Sequence, residues 1–316
     1  MNDAIPVKEG YCTWRGYKTW YRMVGSQEAP GRLPLLCLHG GPGATHDYLA
    51  PLEALASGGR RVICYDQLGG GNSDPVRGVS LWTIDLFLEE LRNICQHLAL
   101  DRFHLMGHSW GGQLALEYAL SKPASLASLI LSDSLASSRE WASEADRLRA
   151  DLPEEVQQIL LKHEAGGTTD SEEYEQACKV YYRLHGCLMD PRLRPEWLKQ
   201  AFSKMDSNPE VYHTMWGPSE FCVTGTLKDW DISNRLGEII IPTLVVGGRH
   251  DEATPAINES LHRGITASEW ITFEHSGHFP FIDESELFLT AAARFLEHVE
   301  TQARPSFKFI NYGGER

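Results

Sequence analysis

The feature that most constrains the fold is a G-x-S-x-G run over residues 107–111, with Ser109 at its centre. The apolar run over 103–106 has the composition of a buried strand, and a helical pattern of apolar residues starts at 112. This order predicts a serine on a sharp strand-to-helix turn, with its hydroxyl exposed above a sheet. Ordinary Gly-Ser turns have the same spacing, so the functional interpretation depends on the flanking strand and helix.

A nucleophilic serine needs a base, and the base needs an orienting acid. Where the serine lies on such a turn, the chain order is Ser, then Asp or Glu, then His. A strand-like run over 241–248 leads to Asp251, the predicted acid, with Glu252 as the alternative. A second strand-like run over 269–273 leads to a loop that carries His278, the predicted base. The alternatives for the base are His108, His250 and His275.

A glycine-rich turn follows the apolar run at 35–38. Acyl transfer requires two hydrogen-bond donors for the developing oxyanion. We predict that the backbone N–H groups of Gly41 and Trp110 supply them. Glycine in this turn lets the backbone approach closely and adopt a positive φ. A phosphate-binding loop is the alternative, but the turn lacks G-x-G-x-x-G spacing and no lysine follows it.

Strand and helix patterns alternate along most of the chain, which predicts an α/β fold with a mainly parallel sheet and helices on both faces. An antiparallel hairpin is predicted over 7–24. The strands predicted after it lie at 34–39, 61–65, 102–107 and 127–132, and the helices near 46–57, 81–98 and 111–121.

The pattern becomes helical and charged from residue 136 to 235, and the strand-helix alternation resumes at 239. We therefore predict a core formed by 1–135 and 236–316, with a helical cap over 136–235 inserted between its halves. An independent helical interaction domain is the alternative for the insertion. Ser109 precedes this insertion in the sequence, whereas the predicted acid and base follow it. The two halves of the core must therefore meet around one site.

The composition excludes several classes of function. A net charge of −14 argues against a nucleic-acid partner. Seven scattered cysteines without a C-x-x-C pair indicate reduced, mostly buried thiols in a cytoplasmic protein. Neither a signal peptide nor an apolar run of membrane-spanning length is recognisable. Metal-ligand spacing such as H-E-x-x-H is absent, so neither a metal nor a cofactor is predicted. The sequence does not identify a protein partner.

Six motifs together resemble the proline iminopeptidase family of α/β-hydrolase serine peptidases. The similarity runs from about residue 8 to about residue 300, and is greatest to the tricorn-interacting aminopeptidase branch and related L-amino acid amidases. It departs at Leu68, where many members carry Arg in D-Q-R-G-x-G-x-S, and this argues against the branch with strict proline preference. The motifs lie at 39–43, 66–73, 107–112, 216–221, 225–231 and 277–278.

The resemblance implies an α/β-hydrolase fold and a site for the substrate's free α-amino group, formed by Glu220 and Glu252. At an effective dielectric of 20, opposite charges ~4 Å apart attract by roughly 4 kcal/mol before desolvation. The alternatives are a surface position for Glu220 and a loop-shaping role for Glu252. A small apolar pocket for the first side chain is predicted, with core packing as the alternative for each wall residue: Tyr48, Trp110, Trp216 and Phe221.

The implied activity is that of a serine aminopeptidase releasing N-terminal proline or a small apolar residue from short peptides or amino-acid amides. Ser109 would attack the scissile carbonyl, His278 would move the proton, and Asp251 would orient His278. The alternatives are an L-amino acid amidase with a broader side-chain range, a carboxylic esterase with the same triad, and a ligand-sensing receptor on the same fold. A dehalogenase is disfavoured because the nucleophile position holds a serine.

Overall fold

The computed structural model describes residues 5–301. It opens with the predicted hairpin, formed by β1 (Val7–Trp14) and β2 (Tyr17–Val24). The two turn residues, Arg15 and Gly16, have φ of +51° and +84°. Positive φ at both positions matches the right-handed twist of the two strands, which explains why the chain reverses here in only two residues.

The sheet has eight strands in the order β1-β2-β4-β3-β5-β6-β7-β8. Pairing is antiparallel between β1 and β2 and between β2 and β4, and parallel in the other pairs. Every residue of β3 to β7 is buried, as expected of parallel strands covered on both faces. The remaining strands are β3 (Leu35–Leu38), β4 (Val62–Tyr65), β5 (Phe103–His108), β6 (Leu126–Ser132), β7 (Thr243–Gly248) and β8 (Ser268–Phe273).

Two apolar clusters cover the two faces of this sheet. Leu105 and Leu129 belong to one, and their strand neighbours Met106 and Ile130 belong to the other, because successive side chains point to opposite faces. The helices of residues 5–301 are α1 (Ile84–His97), α2 (Trp110–Leu120), α3 (Ser138–Ala150), α4 (Glu154–Gly166), α5 (Glu172–His185), α6 (Glu196–Ser207), α7 (Glu210–Met215), α8 (Pro255–Gly264), α9 (Pro280–Asp283) and α10 (Ser285–Thr301). The α/β class and the mainly parallel sheet are therefore confirmed.

The helices α3 to α7 form an insertion between β6 and β7. On one side, Thr254 Oγ1 donates to Glu144 Oε2 of α3 at 2.7 Å, which links the insertion to the start of α8. On the other, Lys204 of α6 forms a 2.8 Å ion pair with Asp47. The insertion is thus attached on two sides of the sheet's carboxyl edge. That it acts as a separate cap remains a prediction.

Several element boundaries differ from those predicted. The segment His46–Gly58 is a 3-10 helix that contains Pro51, whose nitrogen has no hydrogen to donate within a regular helix. The helix α1 begins only after Thr83, whose side chain accepts from Leu86 N at 3.2 Å. The short helix α7 was not predicted. Residues 1–4 and 302–316 of the predicted core lie outside the described residues.

All seven cysteines are free thiols, and five of them are buried. Among residues 5–301, no helix combines the length and the apolar character needed to cross a membrane.

Candidate active site

Ser109 lies on the tight turn between β5 and α2, with φ +55° and ψ −123°. This strained conformation is the one expected where a strand turns sharply into a helix. The flanking glycines are required by close packing. A Cβ on Gly107 would lie 2.2 Å from Gly111 O, and a Cβ on Gly111 would lie 2.4 Å from Leu38 O. The local sequence therefore explains why the serine can occupy this turn.

Two backbone N–H groups near Ser109 are unpaired. Gly41 has a φ of +107°, and Trp110 is the first residue of α2. Within residues 5–301, neither N–H has a hydrogen-bond acceptor. The glycine turn also lies directly against the serine, because a Cβ on Gly40 would be 2.9 Å from Ser109 Cβ. This arrangement has the free donors that an oxyanion hole needs, although the assignment of these two donors remains a prediction.

A chain of hydrogen bonds joins the glycine turn to the loop of the predicted base. The Tyr48 hydroxyl accepts the Gly40 N–H and contacts His108 Nδ1 at 2.9 Å. His108 Nε2 in turn contacts the His278 carbonyl oxygen at 2.8 Å. Burial lowers the pKa of His108 well below its usual value, so its ring is neutral, with Nδ1 accepting and Nε2 donating. Both nitrogens are thus occupied, which argues against His108 as the base. Tyr48 supports the turn through its hydroxyl, and its predicted role as a pocket wall is untested.

The predicted acid and base are in direct contact. His278 Nδ1 lies 2.7 Å from Asp251 Oδ1, and both side chains are buried. The backbone N–H of His278 donates to Gly186 O at 2.9 Å, which links the His278 loop to the insertion. The bond to Asp251 leaves Nε2 as the nitrogen available to a nucleophile. The two remaining candidates for the base, His250 and His275, are exposed. Asp251, rather than its neighbour, therefore has the geometry of the orienting acid.

Glu252 lies on the opposite side of the His278 ring from this bond, and the charge of Glu220 interacts with both His278 and Glu252. Glu252 Oε1 is 4.0 Å from His278 Nε2, and its Oε2 is buried with no hydrogen-bond partner among the described residues. Burial, with the charges of Glu220 and Asp251, raises the pKa of Glu252 well above its usual range. Burial also raises the pKa of Glu220 to about 7. Tyr212 donates to Glu220 Oε1 at 2.8 Å. Glu252 is buried and Glu220 is partly buried, so two acids whose charges interact form a site suited to a cation.

Aromatic side chains hold the turn that carries Glu220. Its carbonyl oxygen accepts from the indole N–H groups of Trp141 at 2.7 Å and Trp216 at 3.2 Å. Phe221 packs on the tyrosines of α5, with one ring centroid 4.7 Å away. Trp216 and Phe221 are buried by these contacts. Their role as walls of a substrate pocket stays a prediction, whereas their contribution to positioning the turn is visible. Sequence reasoning missed Trp141 and Tyr212, because only the packed insertion brings them to this turn.

The Trp110 indole is buried in the core, and its role as a wall of a substrate pocket stays a prediction. Its Nε1 donates to Gln67 Oε1 at 2.8 Å, and its ring meets Phe87 edge-on at 5.7 Å. Gln67 is itself bound to His39, with its N–H donating to His39 Nε2 at 2.9 Å and its side-chain amide donating to His39 O at 3.0 Å. Three of the sequence motifs therefore lock together around the serine turn.

Among residues 5–301, one group of side chains has potential metal-ligand spacing: atoms of Asp133, Asp251 and His278 all lie within 4.8 Å of one another. The 2.7 Å contact of His278 Nδ1 with Asp251 Oδ1 is a hydrogen bond, shorter than the about 3.3 Å between two ligands of a tetrahedral zinc. The cluster is thus a hydrogen-bonded network. Sequence reasoning missed Asp133, although its position directly after β6 parallels that of Asp251 after β7.

Comparison with known proteins agrees with this architecture. Residues 34–285 match the family described as the alpha/beta hydrolase fold. Together with the strand order and the serine turn, this match makes the protein a hydrolase of the α/β-hydrolase class.

The relatives narrow the class further. A proline iminopeptidase of Clostridioides difficile (strain 630) is 38% identical over 293 residues, which cover 92% of this chain and 99% of the relative. The crystal structure of a proline iminopeptidase from Mycobacterium smegmatis matches with a TM-score of 0.85 and 39% identity, covering 93% and 99% of the two chains. That of VinJ matches with a TM-score of 0.89 and 41% identity, covering 92% and 99%. The chain belongs to the proline iminopeptidase family, as its motifs predicted.

Proposed function

We propose that this protein is a serine aminopeptidase that releases N-terminal proline, or a small apolar residue, from short peptides or amino-acid amides. The observation that carries the proposal is a pair of carboxyl groups near the His278 ring, of which Glu252 is buried and Glu220 is partly buried. A protonated amine is the ligand that such a pair favours, because it neutralises charge that is costly to bury. The names of the relatives support the same substrate class.

The distance from Glu252 to the base supports cleavage after the first residue. Glu252 Oε1 lies 4.0 Å from His278 Nε2, the nitrogen that would serve the nucleophile. In an amino acid the α-nitrogen and the carbonyl carbon are separated by about 2.5 Å. An amine held by Glu252 therefore brings the carbonyl of the same residue, and not of a later one, to Ser109.

In the proposed reaction, Ser109 Oγ attacks that carbonyl while His278 Nε2 takes the hydroxyl proton. The Gly41 and Trp110 N–H groups receive the oxyanion, and Asp251 stabilises the imidazolium. His278 then gives the proton to the leaving amine, and water hydrolyses the acyl-enzyme. A Ser109–His278 hydrogen bond is not among the contacts of the described residues. We assign its formation to the substrate complex, where catalytic hydrogen bonds commonly tighten.

A cytoplasmic location is part of the proposal. Its support is the seven free cysteines, five of them buried, which suit a reducing compartment. Fractionation of cells that express the protein tests it, and recovery outside the cytoplasm would contradict it.

The experiment that tests the activity compares prolyl and alanyl chromogenic amides with their N-acetylated forms. We expect the free-amine amides to be hydrolysed and the acetylated ones to be almost inert. The purified Ser109→Ala variant controls for contaminating peptidases. A neutral acyl ester carries no amine, so its hydrolysis reports whether the triad itself is active. Equal rates on blocked and unblocked amides would refute the aminopeptidase assignment.

A further inference from the structure

A second buried carboxyl group lies behind the Asp251–His278 pair. Asp133 directly follows β6, and one of its carboxylate oxygens, one of those of Asp251 and a ring nitrogen of His278 all lie within 4.8 Å of one another. We propose that Asp133 is a positioning residue of the active site, which stays neutral and donates a hydrogen bond from its carboxyl O–H to Asp251 Oδ2. The inference rests on the roles proposed above for Ser109, His278 and Asp251.

The first support is an unpaired oxygen on Asp251. Its Oδ1 accepts from His278 Nδ1 at 2.7 Å and from Ala253 N at 2.9 Å. Its Oδ2 is buried and has no hydrogen-bond donor among the described residues when Asp133 is ionised. A buried carboxylate oxygen without a donor is destabilising, and such atoms are rare in folded proteins. A neutral carboxyl group at Asp133 supplies the missing donor.

The second support is the surroundings of Asp133. Its Oδ1 accepts the Gly248 N–H at 3.2 Å, and its Oδ2 accepts the Ser132 hydroxyl at 2.5 Å. Both donors are uncharged, and no Lys or Arg of the described residues acts on this carboxyl. Burial, and then the charge of Asp251, raise the pKa of Asp133 well above its usual range. Burial and the neighbouring charge both favour the neutral form of Asp133, so we assign a single negative charge to the two carboxyl groups.

The third support is the backbone at Asp133. Its φ is +53°, and its N–H donates to Val246 O at 2.9 Å. L-residues rarely adopt this conformation, and Asp and Asn tolerate it better than most. A strained backbone that delivers a buried acid to a catalytic pair is the kind of outlier found at functional sites.

The proposed hydrogen bond from Asp133 determines how strongly Asp251 stabilises the protonated form of His278. A hydrogen bond to Asp251 Oδ2 disperses its charge, so the imidazolium of His278 is stabilised less. A second ionised carboxyl group would favour the imidazolium form of His278, which cannot act as a base. Other titratable groups also face Asp133, Asp251 or His278, and all are unchanged in the variants below: Tyr48, His108, Tyr181, His185, Glu220, Glu252 and Asp283.

The test uses Asp133→Asn and Asp133→Gly. Asparagine tolerates the positive φ and can donate an amide N–H to Asp251, whereas glycine accepts the same φ and removes the group. The primary readout is the rate at which a fluorophosphonate labels Ser109 as a function of pH, because it reports the base independently of substrate preference. The rate of prolyl amide hydrolysis is measured alongside, and thermal melting checks that both variants fold.

We expect Asp133→Asn to keep both the labelling rate and the acidic limb of its pH profile. Asp133→Gly should lose at least about tenfold in rate, the scale of a lost hydrogen bond to a charged group, and its limb should move to higher pH. A limb that moves to lower pH in Asp133→Asn would overturn the proposal, because it would mean that a negative charge had been removed. A Gly variant with an unchanged profile would overturn it too. If the unmodified enzyme is labelled normally but does not hydrolyse prolyl amides, the proposed function is refuted and the role of Asp133 is not.

Discussion

The carboxyl group of Glu220 is the most informative place to perturb this protein. Glu220→Gln removes the charge but keeps the size, and the new amide oxygen can still accept the 2.8 Å hydrogen bond from Tyr212. At an effective dielectric of 20, a carboxylate and an ammonium ~4 Å apart attract by roughly 4 kcal/mol. Desolvation of the two groups offsets part of this. We therefore expect kcat/KM for a prolyl amide to fall by at least about tenfold, or roughly 1.4 kcal/mol.

The pKa of Glu220 predicts the direction in which the amide-to-ester rate ratio changes with pH. The pKa of Glu220 is raised to about 7, so the carboxyl is neutral below that pH and charged above it. The rate on a free-amine amide, divided by the rate on a neutral ester, should therefore rise as the pH increases through about 7. It should fall again near about 7.7–8.0, where an α-amino group loses its proton. In Glu220→Gln the rising limb should be absent.

The assay measures kcat/KM for both substrates across this range. Glu140→Gln is the matched control, because Glu140 is also an acid of the insertion and its bond from Ser260 can be kept by glutamine. Its amide-to-ester ratio should equal that of the unmodified enzyme. The reasoning would be refuted if Glu220→Gln lost ester and amide hydrolysis equally, or if it retained the rising limb.

Two further outcomes are expected. Ser109→Ala should abolish turnover and fluorophosphonate labelling with little change in melting temperature, and labelling of another serine in step with activity would contradict the nucleophile assignment. Glu300→Gln should lower the free energy of unfolding by about 3 kcal/mol or more in urea titrations, because it leaves Arg60 buried without its 2.7 Å partner. Glu297→Gln, at an exposed ion pair of the same helix, should change it by less than about 1 kcal/mol. The pKa of Glu300 is lowered to about 2 from 4.5, so its stabilisation is present above pH 4.5 and disappears as the pH falls toward 2.

The sequence by itself determined the class of fold and the family. Alternating apolar strands and amphipathic helices leave a parallel sheet with two covered faces as the arrangement that buries them. The serine turn was also local information, because the glycines at 107 and 111 are required by contacts within a few residues or with the adjacent strand. Asp251 and His278 were predictable because each follows a parallel strand, and the carboxyl ends of such strands meet at one edge of the sheet.

Only the tertiary structure showed which of two adjacent acids contacts the base, and which distant residues contact the serine turn. Asp251 and Glu252 are adjacent in sequence, yet one contacts His278 Nδ1 and the other lies on the Nε2 side. The Tyr48 hydroxyl acts on a turn eight residues away and on His108, 60 residues along the chain. Such contacts depend on how the insertion and the loops pack over the sheet edge. Local composition carries no record of that packing, because the partners meet only after the chain has folded.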